Sequence, residues 1–177
     1  MDLIRSTLEA IKNQLNDNLL TAEPRSDEWV VLTSPAGPDG KINEKATDKI
    51  IMSVYNIEKD TTISNSPKFN LDNNQYYAIF PPIYINVYLI FMANFSSDHY
   101  KTGLGGISHV ISFFQKSPFF THDNCRGLPR EVTKIVVEFE NIDPINVNSI
   151  MGMLGTKYTP SIFYKLRMLQ FHSVPEA

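Results

Sequence analysis

The sequence predicts a single α+β domain, in which a mostly antiparallel sheet of four to five strands forms one layer and three helices form the other. Its 177 residues are enough to build one hydrophobic core. The predicted elements follow the order α-β-β-β-α-β-α-β, and helices that do not alternate one for one with strands are typical of α+β folds. We therefore expect residues 1–177 to form one domain.

The composition excludes several classes of function. The chain has 16 basic and 19 acidic residues, for a net charge of -3, and neither sign is concentrated in one block. Nucleic acids and acidic membranes attract basic patches, so we expect neither as a partner. The longest apolar stretch, residues 83–95, is about half as long as a membrane-spanning helix. Acidic residues interrupt residues 1–20, which do not resemble a signal peptide, and we expect a cytoplasmic protein.

The first element is predicted to be an amphipathic helix. Apolar residues recur at helical spacing on one face, while polar residues occupy the other. The apolar face comprises Ile4, Leu8, Ile11, Leu15 and Leu19. Asp2 is placed to cap the start of this helix, and Pro24 lies beyond its end.

Two strands are predicted after this helix. Residues 29–33 form the first, and the turn formers of residues 34–40 predict a loop. Residues 50–57 are apolar on both sides, as expected for a strand in the middle of a sheet.

Residues 58–82 form the most unusual segment of the sequence. The segment is polar, rich in asparagine, and ends in two prolines. Structureless loops of this length are uncommon in compact domains and are usually functional or disordered. Tyr76, Tyr77 and Phe80 lie in this segment, where no core needs aromatic rings. We interpret it as a partner-binding loop, the alternative being an insertion without a partner.

Residues 83–95 give the clearest strand pattern. The odd-numbered positions are all apolar and predict the face that packs on the core. The even-numbered positions mix polar residues with Ile90 and Met92. This second face is therefore a candidate for contact with a partner subunit.

A second helix is predicted from a cap at Ser97 or Asp98 to near position 116. Its apolar stripe comprises Leu104, Ile107, Ile111 and Phe114. Three glycines interrupt it, each costing about 1 kcal/mol of helix stability relative to alanine. We interpret Gly103, Gly105 and Gly106 as a close approach of the helix to the sheet or to a neighbouring subunit, with a broken helix as the alternative.

A strand, a helix and a final strand complete the predicted fold. Residues 133–140 alternate between apolar and charged positions, which predicts a strand. Asp143 followed by Pro144 is a strong helix start, and Gly155 stands where that helix should end. Its apolar stripe comprises Val147, Ile150, Met151 and Leu154. Residues 161–171 are predicted to form the last strand.

Two basic residues lie on one face of the last predicted strand. By simple alternation, Lys165 and Arg167 share this face with Phe163 and Leu169. We interpret them as candidates for charge pairing across a subunit interface. The alternative is a solvated strand face whose long side chains lie along apolar neighbours.

The sequence contains no pattern that points to catalysis, to a cofactor or to a metal ion. The four histidines have no spacing that matches a metal-binding pair, and the glycines of residues 103–106 match no phosphate loop. The single cysteine, Cys125, excludes an intrachain disulfide and a cysteine-based zinc cluster. We interpret it as a small buried apolar residue.

Four stretches of the sequence together resemble a known family. They are residues 56–58 (NIE), 81–90 (PPIYINVYLI), 113–115 (FFQ) and 154–168 (LGTKYTPSIFYKLRM). With the N-terminal amphipathic helix, they look like the terminator domain of the cap proteins of extracellular contractile injection systems, of the antifeeding-prophage and Photorhabdus-virulence-cassette types. The resemblance spans nearly the whole chain, and its last stretch is the most specific.

The resemblance implies a phage tail-terminator-like fold and a structural role that needs neither an active site nor a cofactor. It implies a homo-oligomer, a hexameric ring, that binds the inner tube protein and the sheath protein and thereby controls tail length. It also implies assembly in the cytoplasm and then a place in the contractile particle. The interface candidates are Tyr76, Tyr77, Phe80, Tyr158, Lys165 and Arg167.

Two other functions stand as alternatives. The first is a baseplate or adaptor component of the same kind of particle. The second is a cysteine hydrolase that uses Cys125, which closely follows His122 and Asp123 in the sequence.

Overall fold

The structure of the chain, a computed structural model, describes residues 2–62, 68–72, 75–79 and 81–172, with the main chain alone described for residues 68–72, 75–79 and Met168. The helices are α1 (Leu3–Ala22), α2 (Tyr100–Lys116) and α3 (Pro144–Leu154). The strands are β1 (Val30–Leu32), β2 (Lys49–Lys59), β3 (Lys68–Asp72), β4 (Gln75–Ile79), β5 (Ile83–Asn94), β6 (Phe119–Phe120), β7 (Ile135–Glu140) and β8 (Ser161–Phe171). The predicted α+β class is confirmed.

Six of these strands form one mixed sheet. Their order across the sheet is β1-β2-β5-β8-β7-β6. Neighbouring strands are antiparallel except for β1, which runs parallel to β2. The sheet has more strands than predicted because β6 has only two residues, too few for an alternating pattern to reveal.

Different helices cover the two faces of this sheet. The face packed against α1 and α2 holds the main core, to which β5 contributes Val87, Leu89, Phe91 and Ala93. On the opposite face, Ile90 and Met92 lie in a second core with Met151 of α3. α3 thus adds a layer to the predicted two. This part of the second face of β5, predicted to be open to a partner, is covered by the chain itself.

α2 lies close to the sheet because glycines stand at the contact. A methyl group added at Gly103 would lie 2.9 Å from Cδ2 of Phe95 and 3.3 Å from Cβ of Ala93. One added at Gly106 would lie 2.8 Å from Cδ1 of Ile50. The 2.9 Å and 2.8 Å distances are both shorter than the contacts that a Cβ atom makes in folded proteins, so neighbouring atoms would have to move. The close approach is therefore confirmed for these two glycines, and the helix is continuous.

The buried side of α2 is turned away from the predicted stripe. It comprises Gly103, Gly106, Ile107, Val110, Phe113 and Phe114. Leu104 and Ile111, predicted to be in the stripe, are 41% and 40% exposed. The side of α2 that faces the sheet is the one that carries positions 103, 106, 110 and 113. Because this side contains the glycines, Leu104 points outward.

The predicted caps of α1 and α2 are absent. Asp2 is the N-cap residue of α1, but its carboxylate pairs with Nε of Arg5 at 2.6 Å and accepts no capping hydrogen bond. A turn of 3-10 helix, Ser97–His99, precedes α2. The N-cap residue of α2 is His99, and its side chain makes no capping hydrogen bond.

α3 begins and ends as predicted. Oδ1 of Asp143 accepts a hydrogen bond from the main-chain N–H of Asn146 at 2.9 Å, and Pro144 is the first helical residue. Gly155, at φ 71°, ends the helix in the left-handed conformation that glycine adopts without strain.

An extra residue in β8 changes which side chains face the core. Between the pairs Leu166↔Val87 and Leu169↔Ile85, three steps along β8 span two along β5. This bulge turns Leu169 into the main core, where it is fully buried, and leaves Arg167 on the opposite face. The prediction that these two residues share a face is wrong because the alternation shifts at the bulge.

Residues 58–82, predicted to be a loop, contain regular structure. β2 continues to Lys59, and β3 and β4 pair with each other in a separate antiparallel two-stranded sheet. Paired main-chain groups compensate for the low strand propensity of the asparagines here. We refer to residues 60–82 as the hairpin arm.

The close approach of α2 to the sheet gives a prediction for two neighbouring glycines. Gly103→Ala should lower the free energy of unfolding by about 1–3 kcal/mol, because its methyl group would meet the ring of Phe95. Gly105→Ala is the matched control. Its methyl group would lie 4.0 Å from the nearest atom, in Glu23, and should raise the free energy by about 0.5–1 kcal/mol.

Urea unfolding followed by circular dichroism measures both variants. Equal stabilisation of the two proteins would contradict the close approach at Gly103.

Candidate assembly surfaces

A row of aromatic and charged side chains occupies the face of the sheet beside α3. The ring of Tyr55 lies 5.6 Å from that of Phe163 and 5.9 Å from that of Tyr88. Nζ of Lys165 lies over Tyr88, 5.6 Å from the ring centre, and the hydroxyl of Tyr88 donates to Glu58 at 3.0 Å. Burial, followed by this hydrogen bond, raises the pKa of Tyr88 to about 12. Lys165 thus lies on an aromatic surface of its own chain.

Arg167 forms a fork between two acidic residues farther along the same face. Its Nη2 donates to Oδ2 of Asp60 at 3.3 Å, and its Nη1 donates to Oε1 of Glu138 at 3.4 Å. Its Nε is buried and has no hydrogen-bond partner in the part of the chain that the structure describes. The guanidinium is therefore engaged within the chain, and the alternation of β8 alone does not reveal these partners.

Asp60 is the buried centre of this network, and we refer to Asp60, Asn86, Glu138 and Arg167 as the arm-root network. Asp60 is 2% exposed. It accepts hydrogen bonds from the hydroxyl and the main-chain N–H of Thr62 and from Nδ2 of Asn86. The Thr62 hydroxyl, then Asn86, hold the pKa of Asp60 far below its usual range.

The arm-root network fixes the place where the hairpin arm leaves the sheet. Asp60 directly follows β2, and its main-chain N–H donates to the carbonyl of Tyr84 in β5 at 2.7 Å. Its carboxylate reaches β5 through Asn86 and β8 through Arg167, which continues to Glu138 in β7. Four strands are thus tied together at the root of the arm.

The three aromatic candidates of the arm are only partly placed. Tyr76 and Tyr77 lie in β4, where the main chain alone is described, and Phe80 lies outside the described residues. The interpretation of these rings as partner contacts stays a prediction.

An exposed apolar surface surrounds α3, a helix without a charged residue. Ile145 is 80% exposed and Met153 is 64% exposed on its outer side, and Tyr158, just beyond the helix, is 70% exposed. The loop that carries the exposed Ile42 lies against the end of α3. We refer to these four residues as the α3 patch. Exposed apolar residues on and beside an uncharged helix make this surface a candidate interaction site.

The structure separates the predicted interface residues into two groups. Lys165 and Arg167 lie on the sheet near the arm root, whereas Tyr158 belongs to the α3 patch. Tyr158 precedes the first residue of β8, and Arg167 lies six residues into that strand, which corresponds to about 20 Å along it.

Several surface residues were not predicted from the sequence. Ile42, Ile145 and Met153 are exposed apolar residues. Single apolar residues are common on protein surfaces, so their presence in the sequence did not indicate a binding surface. Asp60 had a local signal, because aspartate followed two residues later by threonine favours the turn that the structure contains.

Cys125 is placed unfavourably for nucleophilic catalysis. It is 2% exposed, and burial raises the pKa of its thiol. A cysteine nucleophile reacts as the thiolate, which a raised pKa disfavours. His122, close to it in sequence, is exposed.

The described residues contain neither a grouped set of metal ligands nor a helix suited to cross a membrane. Across these residues, no three histidine, cysteine or acidic side chains are grouped so that they could hold a metal ion. None of the helices there combines the length and the apolar character needed to span a bilayer.

Comparison with known proteins gives a match to a family model and matches to several solved structures. The family model described as the Pvc16 N-terminal domain matches residues 6–177. No curated protein matches the chain.

The first structural match is the sheath/tube terminator, in the extended state, of an extracellular contractile injection system, PVC. It is 14% identical with a TM-score of 0.54, over 96% of this chain and 57% of that one. The second is the cap of the anti-feeding prophage, a tube-terminating cap, which is 12% identical with a TM-score of 0.56, over 94% of this chain and 55% of that one. The chain therefore shares their fold and spans a little over half the length of each.

The arm-root network predicts a pH dependence of stability. The pKa of Asp60 in the folded chain lies below its usual value of 3.8, so its contribution to stability is present above that value and is lost as the pH falls through the folded pKa. Asp60→Asn should therefore be less stable than the wild type at neutral pH, and the difference should shrink below about pH 4. Chemical unfolding at several pH values measures it. A difference that is constant down to about pH 2 would show that the carboxylate is not involved.

Proposed function

The chain belongs to the Pvc16 N-terminal domain family, and on this premise we propose that it is a structural cap of a phage tail-like contractile injection system. It ends the inner tube, joins the tube to the last sheath layer, and so limits the length of the tail. The observation that carries the proposal is the match of at least 94% of the chain to a sheath/tube terminator and to a tube-terminating cap.

The two candidate surfaces lie toward opposite ends of the central strand. The hairpin arm leads into β5 at Ile83, whereas Ser161, which closely follows Tyr158 of the α3 patch, pairs with Met92 near the other end. Twelve residues of strand separate the ends by about 35 Å. A subunit with contacts at both ends can meet two different partners simultaneously.

We assign these surfaces to the tube and the sheath as follows. The α3 patch contacts neighbouring copies and the tube end, because a buried interface core is apolar and poor in charge. The hairpin arm reaches the sheath, where its strands can pair with an extended segment of the partner. Copies joined head to tail close into a ring when the rotation between them divides the circle, and six copies match a six-fold tube.

Capping of this kind makes and breaks no covalent bond. Tyr158, Lys165 and Arg167 therefore act by packing and charge, Cys125 has no chemical role, and no cofactor is needed. The subunit assembles in the cytoplasm and becomes part of the particle.

Removal of the chain tests the capping role directly. Particles made without it should have longer tails of variable length and ragged ends, because nothing blocks the addition of tube subunits. Electron microscopy of the particles gives the length distribution, and a wild-type copy supplied in trans should restore it. Tails of normal length that lack a baseplate would instead identify a baseplate or adaptor component.

Replacement of the arm separates the two surfaces. A variant in which a short glycine-serine linker replaces residues 64–80 keeps Asp60 and Thr62, so the arm-root network remains. It should fold, form the ring, and fail to restore the tail ends of particles that lack the chain. Circular dichroism and light scattering check the fold and the ring.

Tyr158→Ser is the matched variant for the other surface, and it should weaken the ring while leaving the arm unchanged. Normal particle ends with the arm variant would show that the arm is not a sheath contact.

A further inference from the structure

The first outer strand of the six-stranded sheet, β1, has its outward main-chain groups bound by a side chain. The N–H of Val30 donates to Oδ1 of Asn16 at 2.8 Å, and Nδ2 of Asn16 donates to the carbonyl of Val30 at 2.9 Å. Asn16 belongs to α1 and is 4% exposed. One amide group thus takes the place that a neighbouring strand would occupy.

The other outer strand, β6, is bound in the same way. Nδ2 of Asn124 donates to the carbonyl of Phe119 at 3.0 Å, and the N–H of Thr121 donates to Oδ1 of Asn124 at 2.7 Å. The carbonyl of Pro118 accepts from the N–H of Val137, so this group faces β7. By alternation along the strand, the groups of Phe119 and Thr121 that Asn124 binds point away from the sheet.

The rest of this edge carries like charges. Phe120 pairs with Ile135 at the start of β7, and no strand among the described residues lies outside Glu138, Phe139 and Glu140. The two glutamates belong to β7, beyond the two residues of β6, so they protect the edge of β7, whereas the outward groups at β6 are bound by Asn124. Charged residues on an unpaired edge are one known protection against strand addition.

We propose that Asn124 blocks strand addition at β6, and that the strand it excludes is β6 of a second copy of this chain. An antiparallel pair of two β6 edges is self-complementary, since each copy would offer the same groups to the other about a two-fold axis. The edge of β6 belongs to neither of the surfaces assigned to the capping role, so this proposal does not depend on that role. The pair would also bring two exposed Phe119 side chains together.

Two substitutions of the exposed Asn124 test the proposal. In Asn124→Ala the N–H of Thr121 loses its acceptor, and its hydrogen exchange should become about two- to tenfold faster. The carbonyl of Phe119 also loses its donor, while the carbonyl of Thr121 stays bound by the main-chain N–H of Cys125 at 2.9 Å. Because these two outward groups then lack a partner, the average mass should rise above the wild-type value, whatever assembly the wild type forms, as concentration increases. In Asn124→Asp the acceptor remains, and the charges on two copies repel, so the mass should stay at the wild-type value.

Asn18→Ala, at an exposed position of α1, is the control for losing a surface asparagine. Light scattering over a concentration series measures the mass, and circular dichroism verifies that each variant is folded. Folded Asn124→Ala that associates, beside Asn124→Asp and Asn18→Ala that do not, is the expected result. The proposal is overturned if Asn124→Ala keeps the wild-type mass, if Asn124→Asp associates equally, or if association accompanies loss of structure.

Discussion

The burial of β5 on both faces is the constraint around which the rest of the molecule is arranged. Val87, Leu89 and Phe91 are fully buried on one face, and Ile90 and Met92 are buried on the other. Each such side chain contributes about 1.5–3 kcal/mol when it leaves water, so neither face can stay uncovered. α1 and α2 therefore cover one face and α3 covers the other. Among the described residues, the outer side of α3 and the sheet near the arm root keep exposed side chains.

Sequence periodicity predicted the elements whose pattern is long and uninterrupted. α1, β5 and β8 were recognised from their spacing, and α3 was recognised from its aspartate-proline start and its terminal glycine. The buried side of α2 was misjudged because glycine does not count as apolar in a stripe, although glycines face the sheet. The face of Leu169 was misjudged because a bulge depends on the partner strand, which a single strand's pattern does not contain.

The candidate surfaces were predicted less completely than the fold. The shared face of Lys165 and Arg167 followed from alternation, whereas Tyr158 was an interface candidate through the family resemblance and its exposure was not predicted. The bond from Arg167 to Asp60 joins residues 107 positions apart, and no local pattern encodes such a pair. The buried stripe of α3 was predicted from its spacing, and in the structure Met151 is buried with Val147, Ile150 and Leu154 packed beside it. The α3 patch was missed because it combines apolar residues outside that stripe with Ile42, which belongs to a loop distant in the sequence.

The position of β8 in the sheet has a consequence for biosynthesis. This strand follows β7 in the chain, yet it lies between β5 and β7. While the ribosome is still producing residues 161–171, β5 has one edge without a partner, and β6 and β7 have no strand on which to assemble. Contacts between segments so distant in sequence form slowly, and an apolar strand with an open edge readily recruits other chains. A nascent chain of this topology should therefore depend on chaperones until translation has passed β8.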